Sequence, residues 1–339
     1  MEEISEENTK IQDSEHKDPD QCEETEKQLC IYYDERAKLH PDNHEEIQLR
    51  SQFIWDALAE NKLLKSDRVH LSCFNQIEVE DLTQVHTTSL VQKILSAGEL
   101  KDGETSKMFG EENTENKHTP ECARLAAGSS LQAMKDVVTS PFTPKAAFSL
   151  MRPPGHHATE GHADGYCFFN NAAIAAHFAI KSYNLKRVLI LDWDVHHGDG
   201  TQEIFYESSK VFFMSVHRWE NGKYFPYKDC SNYTYLGSKQ GEGFNLNVPW
   251  NTTEEEDDLS EIGTKEYQFL FENLLFGIMA EFDPELIIVS AGFDSAKGDP
   301  LGLQQVDHEF YSWLCVNLQK ICPKIVMVIR RRLLNGYFS

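Results

Sequence analysis

The sequence predicts one large α/β domain: a mainly parallel sheet with helices on both faces. Three observations carry this. Five short runs of β-branched and aromatic residues recur along the chain, helical patterns lie between several of them, and polar segments follow four of them directly. Strands buried on both faces read as continuous apolar runs, and strand–helix alternation favours parallel pairing. In chain order, a helix is expected over Pro120–Val138 and a strand at 146–150 (AAFSL), then an Ala-rich helix over Asn171–Tyr183. Strands follow at 187–191 (RVLIL) and 211–216 (VFFMSV). A helix over 259–282 is expected because apolar residues at 259, 262, 269, 270, 274, 275 and 278 recur at helical spacing. Strands at 285–290 (ELIIVS) and 324–329 (KIVMVI) complete the set.

The 339 residues are enough for a sizeable core, and 40% hydrophobic with 11% aromatic residues excludes a wholly disordered chain. Thirty-two basic against 55 acidic residues leave a formal charge of −23. Direct nucleic-acid or membrane partners are not expected, because both need local positive charge, whereas a Lys-rich protein tail is a better match. The start MEEISEENTK resembles no secretory signal, and no stretch reaches the roughly 18 apolar residues of a membrane span. Eight scattered cysteines read as free thiols of a reducing compartment, so the cytoplasm or nucleus is expected.

Residues 1–30 hold eleven acidic residues and three lysines, and are expected to be a disordered tail before a domain over 31–329. The polar stretch 101–118 reads as a mobile surface loop. The acidic cluster at 252–258 reads as solvation of a helix start.

Chemistry concentrates behind the strands. RPPGHHA (152–158) follows the first run, DWDVHHGDG (192–200) the second, His217 the third and AGFDSAKGDP (291–300) the fourth. Ligands of open α/β sheets bind beyond the carboxyl ends of the strands, so these segments should converge. They bring together Asp192, Asp194, Asp199, Asp294, His156, His157, His196 and His197. No Ser or Cys sits on a nucleophile elbow, and the set suits a divalent metal. An extended D-W-D-V-H would place Asp192, Asp194 and His196 on one side. With Asp294 arriving from a neighbouring strand, two carboxylates and one imidazole suit Zn²⁺ with a position left open. His156 and His157 are both candidates for the base of a hydrolysis, and Asp192 and Asp199 are each free to orient one of them.

RPPGHHA, GYCFFNNAAIAA (165–176), DWDVHHGDGTQ (192–202) and AGFDSAKGDPLG (291–302) closely resemble the zinc-dependent histone deacetylases, nearest their class II branch, with the resemblance running from Tyr32 to Ile329. It implies Zn²⁺ on Asp194, His196 and Asp294, His157 as general base, His156 as electrostatic support, and Asp199 and Asp192 as their orienting carboxylates. It further implies a narrow tunnel for the acyl-lysine stem at Gly165, Tyr166 and Phe225, with Tyr166 where the family usually has Phe. A structural K⁺ is implied near Asp192, Asp194, His196 and Ser215. Leu301 stands where polyamine-preferring relatives carry a glutamate, which favours acetylated lysines of proteins, such as histone tails or tubulin. Corepressor complexes are implied as further partners.

One departure follows the last strand. Active family members carry an oxyanion-donating tyrosine there in a Glu-Gly-Gly-Tyr segment, whereas this chain reads RRRLLNGYFS at 330–339. The place of that tyrosine falls near Leu334, and Tyr337 follows Asn335 and Gly336, so Tyr337 is not expected to reach the site. Residues 330–339 read as an alternative terminus, and the chain is expected to bind zinc and deacetylate weakly. Competing expectations are a catalytically weak acetyl-lysine or corepressor binding module and an acetylpolyamine amidohydrolase. An arginase-like ureohydrolase would need a two-metal carboxylate set. His217 is read as a tunnel-rim or solvated strand-end residue, His177 as packing, His86 and His162 as ordinary hydrogen-bonding groups, and Cys167 as a buried small residue.

Overall fold

The computed structural model describes residues 29–41, 50–139, 146–253 and 259–329. Eight strands form one sheet: β1 (Leu29–Tyr32), β2 (Val69–Leu71), β3 (Ala146–Ser149), β4 (Val188–Asp192), β5 (Val211–Arg218), β6 (Asn245–Trp250), β7 (Leu286–Ala291) and β8 (Ile325–Ile329). Their spatial order is β2-β1-β3-β8-β7-β4-β5-β6, and every pairing among the described residues is parallel. The helices are α1 (Arg50–Glu60), α2 (Val79–Leu82), α3 (Thr88–Ser96), α4 (Thr119–Thr139), α5 (Asn171–Tyr183), α6 (Asp199–Phe205), α7 (Thr264–Leu270), α8 (Phe276–Phe282) and α9 (His308–Ile321). A π-helical turn over Phe271–Leu275 joins α7 to α8. Among the described residues no helix is long and apolar enough to cross a membrane.

The continuous apolar runs are explained by burial on both faces. In β4, Val188 and Ile190 pack into one core with α3, α4 and α5, while Leu189 and Leu191 pack into a second core with α7, α8 and α9. The same alternation splits β7, with Leu286 and Ile288 in the first core and Ile287 and Val289 in the second. Helix α5 keeps the bounds expected of it; Asn170 caps it by accepting from the Ala173 N–H (3.0 Å), and Asn184 ends it at φ +59°.

Four expectations are corrected. Leu29 and Cys30 belong to β1, so ordered structure begins within the stretch read as tail. The helix expected over 259–282 starts at Thr264; of the preceding acidic cluster, residues 254–258 lie outside the described residues. Residues 101–118 are only in part the surface loop expected: residues 101–105, 107 and 110–112 are exposed, but Ser106 and Glu115 exchange two 2.9 Å backbone hydrogen bonds, and Asn113 and Glu115 are fully buried. His217 is neither rim nor solvated; it is fully buried, with Nδ1 2.8 Å from Ser215 Oγ and Nε2 donating to the Ser231 carbonyl (2.9 Å). Residues 1–28 and 330–339, with Tyr337 and Leu334, lie outside the described residues.

His86 shows how a buried polar group is held in this fold. Its Nε2 accepts from the Asn170 N–H (2.9 Å), so Nδ1 carries the proton and donates to the Thr159 carbonyl (2.9 Å). Burial disfavours its cation and pulls its pKa down to about 4. The unfolded chain therefore takes up a proton below about 6.5 that the folded chain refuses until about 4, and stability is lost as pH falls through that window. In urea unfolding, the wild type should lose about 1.6 kcal/mol more between pH 6.5 and 5 than His86→Gln, from 1.36 kcal/mol per pKa unit with the unfolded group half protonated at the start. Equal losses would contradict this account of His86.

Candidate active site

The sheet topology brings the site together. β4 lies beside β7, so the segments after Asp192 and Ala291 leave the same edge, and the R-P-P-G turn after β3 enters from two strands away. β4 ends at Asp192 and the chain then bends over Asp194–His196, so the extended D-W-D-V-H expected from the sequence is not formed. The bend separates the groups: Asp192 turns to His156, while Asp194 and His196 turn to Asp294.

His196 Nδ1 lies 3.0 Å from Asp194 Oδ1 and 3.0 Å from Asp294 Oδ2. Among the described residues these three form the group whose ligand atoms, all within 4.8 Å of one another, suit a metal ion, and all three side chains are buried. A tetrahedral ion with bonds of 2.0–2.1 Å sets its ligands roughly 3.3 Å apart, so the donor spacing and the two-carboxylate, one-imidazole chemistry both fit Zn²⁺. Burial, reinforced by the charge of Asp294, raises the Asp194 carboxyl above the usual carboxylate range. Backbone groups and neighbouring rings fix the set: Asp294 Oδ1 accepts from the Val195 N–H (2.8 Å), Asp194 Oδ1 from the His196 N–H (2.9 Å), and the His196 ring stacks on Tyr224 at 5.1 Å. Gly292 must lack a side chain, because a Cβ there would sit 2.1 Å from Asp194 Oδ2.

Both histidines of the tandem are paired with carboxylates. His156 Nδ1 lies 2.5 Å from Asp192 Oδ2, and His157 Nδ1 lies 2.6 Å from Asp199 Oδ1. Burial alone would raise Asp199, but His157 and the Lys228 ammonium, which contacts its second oxygen, outweigh it and pull the carboxyl down to about 2. An ionised Asp199 requires His157 to donate from Nδ1, which leaves a lone pair on its Nε2. The 2.9 Å contact between the two Nε2 atoms then requires His156 to donate across it. His156 and Asp192 consequently share one proton on their 2.5 Å contact, in keeping with burial raising the Asp192 carboxyl.

Of the residues assigned to a tunnel, Gly165 and Phe225 touch this core. The Phe225 ring meets His157 edge-on at 4.9 Å, and a Cβ on Gly165 would lie 2.3 Å from the His157 ring and 3.1 Å from Phe225. Tyr166 is buried beside them, at φ +65°. Leu301 reaches the site through its backbone, its carbonyl accepting from the Tyr224 hydroxyl at 3.0 Å. Ser215 pairs with Asp192 in the β4–β5 register. His197, the second histidine of DVHHGDG, is no ligand; its nitrogens lie 2.9 Å from Ser231 Oγ and Gln202 Oε1. Sequence reading missed Tyr224, Lys228 and Asn113. Tyr224 had a faint signal in its place next to Phe225; the other two had none, since each acts across a loop or from a segment read as solvent-exposed.

Comparison with known proteins identifies the family and the fold. The model of the histone deacetylase domain family matches residues 43–330. Histone deacetylase 6 of Caenorhabditis elegans is 34% identical over 309 residues, 89% of this chain and 32% of that protein. Polyamine deacetylase HDAC10 of Homo sapiens is 40% identical over 242 residues, 71% of this chain and 35% of that protein. The crystal structure of the HDA15 HD domain superposes with a TM-score of 0.83 at 35% identity, covering 91% of this chain and 83% of that one. The chain thus spans about a third of the length of these two curated relatives. Its fold and its sequence together make it a member of the histone deacetylase family, on the class II-like side of that family.

Proposed function

We propose that the chain hydrolyses the acetyl amide of acetyl-lysine in proteins, with Zn²⁺ held by Asp194, His196 and Asp294. The observation that carries this reading is the adjacency of that buried trio to two carboxylate-paired histidines, walled by Gly165 and Phe225. Bound there, Zn²⁺ supplies a Lewis acid for the acetyl carbonyl. His157 takes the proton of the attacking water at Nε2 once that nitrogen has released the His156 N–H it accepts, with Asp199 holding its ring through Nδ1, and returns a proton to the leaving lysine amine. His156, anchored by Asp192, supports the charge that develops beside it. Water and amide are thereby converted to acetate and free lysine.

Gly165, Tyr166 and Phe225 grip the lysine stem, whose four methylenes contribute about 0.8 kcal/mol each when buried. K⁺ is assigned to the surroundings of Asp192, Asp194, His196 and Ser215, where buried carboxylates need positive charge. The net charge of −23 supports cationic, lysine-rich tails as substrates, and the scattered cysteines support the cytoplasm or nucleus as the setting. A second reading, hydrolysis of acetylated polyamines, draws on the HDAC10 relatives, but Leu301 offers no charge to a substrate ammonium. A third, a binding module with weak turnover, draws on the RRRLLNGYFS segment in place of Gly-Gly-Tyr; loss of one oxyanion donor costs about 10²–10³ in turnover.

Purified chain should carry one zinc per molecule and release acetate from an acetyl-lysine peptide slowly, with turnover abolished by chelation and cut at least about 10²-fold in His157→Ala. Chelator-resistant turnover would sink the reading, and stoichiometric zinc without turnover would favour the binding module. Gly292→Ala should lower zinc occupancy severalfold with the fold retained, because its methyl collides with Asp194; full occupancy measured by elemental analysis would contradict the assigned ligands. Leu301→Glu should raise activity on acetylspermidine relative to acetyl-lysine peptide, and an unchanged ratio would remove Leu301 from the specificity argument.

A further inference from the structure

The wall beside His157 and Phe225 is a tight turn in which two successive residues occupy the left-handed region. Gly165 lies at φ +51° and Tyr166 at φ +65°. The turn closes on itself: the Cys167 N–H donates to the Asp164 carbonyl (2.8 Å) and the Gly165 N–H to Asp164 Oδ1 (2.8 Å). Glycine adopts this conformation freely, but a tyrosine does so at a cost and keeps it only where its surroundings impose it. The restraint comes from the segment 101–118. Asn113 Oδ1 accepts from the Tyr166 N–H (2.9 Å), and Asn113 Nδ2 donates to the Cys167 carbonyl (3.1 Å). One amide thus binds the N–H of the left-handed residue and the carbonyl of the residue after it, in a setting where each bond would be expensive to leave unmade.

Asn113 is itself held. Its side chain is fully buried, and the segment around it is stapled by the Ser106–Glu115 backbone pair and by Glu115 Oε2, which accepts from the Met108 N–H (3.1 Å). Three residues on, Asn116 donates to the Leu39 carbonyl (2.9 Å) and accepts from the His118 N–H (2.9 Å), which ties the segment to the loop after β1 and to the start of α4. A displacement of the wall has nowhere to be absorbed, since a Cβ at Gly165 would already lie 2.3 Å from the His157 ring.

We propose that Asn113 is a positioning residue for substrate: its amide locks residues 165–167 against His157 and Phe225 and so sets the width of the acyl-lysine tunnel. The inference rests on the tunnel assigned under the proposed function, and it adds to it a determinant outside the four segments that follow the strands. With the amide removed, Tyr166 relaxes towards negative φ, the wall shifts, and ligands that thread the tunnel lose contact. Ligands that reach only the metal keep theirs.

The test is calorimetry on the zinc-loaded full chain with two probes: a hydroxamate carrying a long alkyl linker, and acetohydroxamate. Asn113→Ala should weaken the long hydroxamate about tenfold, the equivalent of one or two lost hydrogen bonds, and leave acetohydroxamate within about twofold. Zinc content and unfolding temperature on the same samples separate this from general damage, which would weaken both probes alike. If Asn113→Ala does not fold, Asn113→Ser is read by the same ratio. Equal weakening of the two probes, or of neither, overturns the role of Asn113. A wild type that binds acetohydroxamate but not the long hydroxamate overturns the tunnel itself, and a wild type that binds neither overturns the metal site.

Discussion

The constraint on which the rest of this structure depends is the burial of carboxylates. Asp192, Asp194 and Asp294 are fully buried and Asp199 is nearly so, all behind the carboxyl ends of a few central strands. An uncompensated buried charge costs several kcal/mol, so each acid needs a partner within contact distance. Asp192 meets His156, Asp199 meets His157 and Lys228, and Asp194 and Asp294 converge on His196. Of these sets, the last has two acids for one imidazole, an imbalance that suits a divalent cation. The sheet order serves this partition by inserting β7 and β8 between β3 and β4, so that segments distant in sequence deliver the histidine pair, the Asp192–Asp199 set and Asp294 to one place.

Five strands were legible because burial on both faces leaves an uninterrupted apolar run. Of the three that were missed, β2 and β6 fail that criterion, whereas β1 (LCIY) meets it and was divided by the boundary drawn for the tail. β1 borders the acidic N-terminal stretch, β2 is a partly exposed edge of three residues, and β6 (NLNVPW) carries two asparagines and a proline at the opposite edge. Asn245 and Asn247 are held inside through their amide N–H groups, which donate to Gln202 Oε1 and to backbone carbonyls, a pairing no linear pattern announces.

The candidate site divides along the same line. Asp194, His196 and Asp294 could be read from the sequence because polar residues in place of apolar ones at strand ends are conspicuous, and the tandem histidine behind R-P-P-G likewise. The D-W-D-V-H geometry was reached by the wrong route: alternation on an extended strand was assumed, whereas a bend after Asp192 sorts the acids. Lys228 and Asn113 were illegible because their partners lie 29 and more than 50 residues away, and because a polar stretch such as 101–118 looks solvated until its hydrogen bonds are known. A lysine half-buried on Asp199 completes the neutralisation of the His157 pair, so the electrostatics of the site depend on the loop after Phe225 as much as on the strand ends.

The most direct test of the buried-acid account is thermal unfolding of the chain with and without zinc, beside Asp294→Asn. The account predicts that chelation lowers the unfolding temperature of the wild type, that Asp294→Asn without metal unfolds at a higher temperature than the metal-free wild type because one of two facing buried carboxylates is gone, and that zinc then adds little stability to the variant. A wild type whose unfolding temperature is indifferent to chelation, or a metal-free Asp294→Asn less stable than the metal-free wild type, would contradict it.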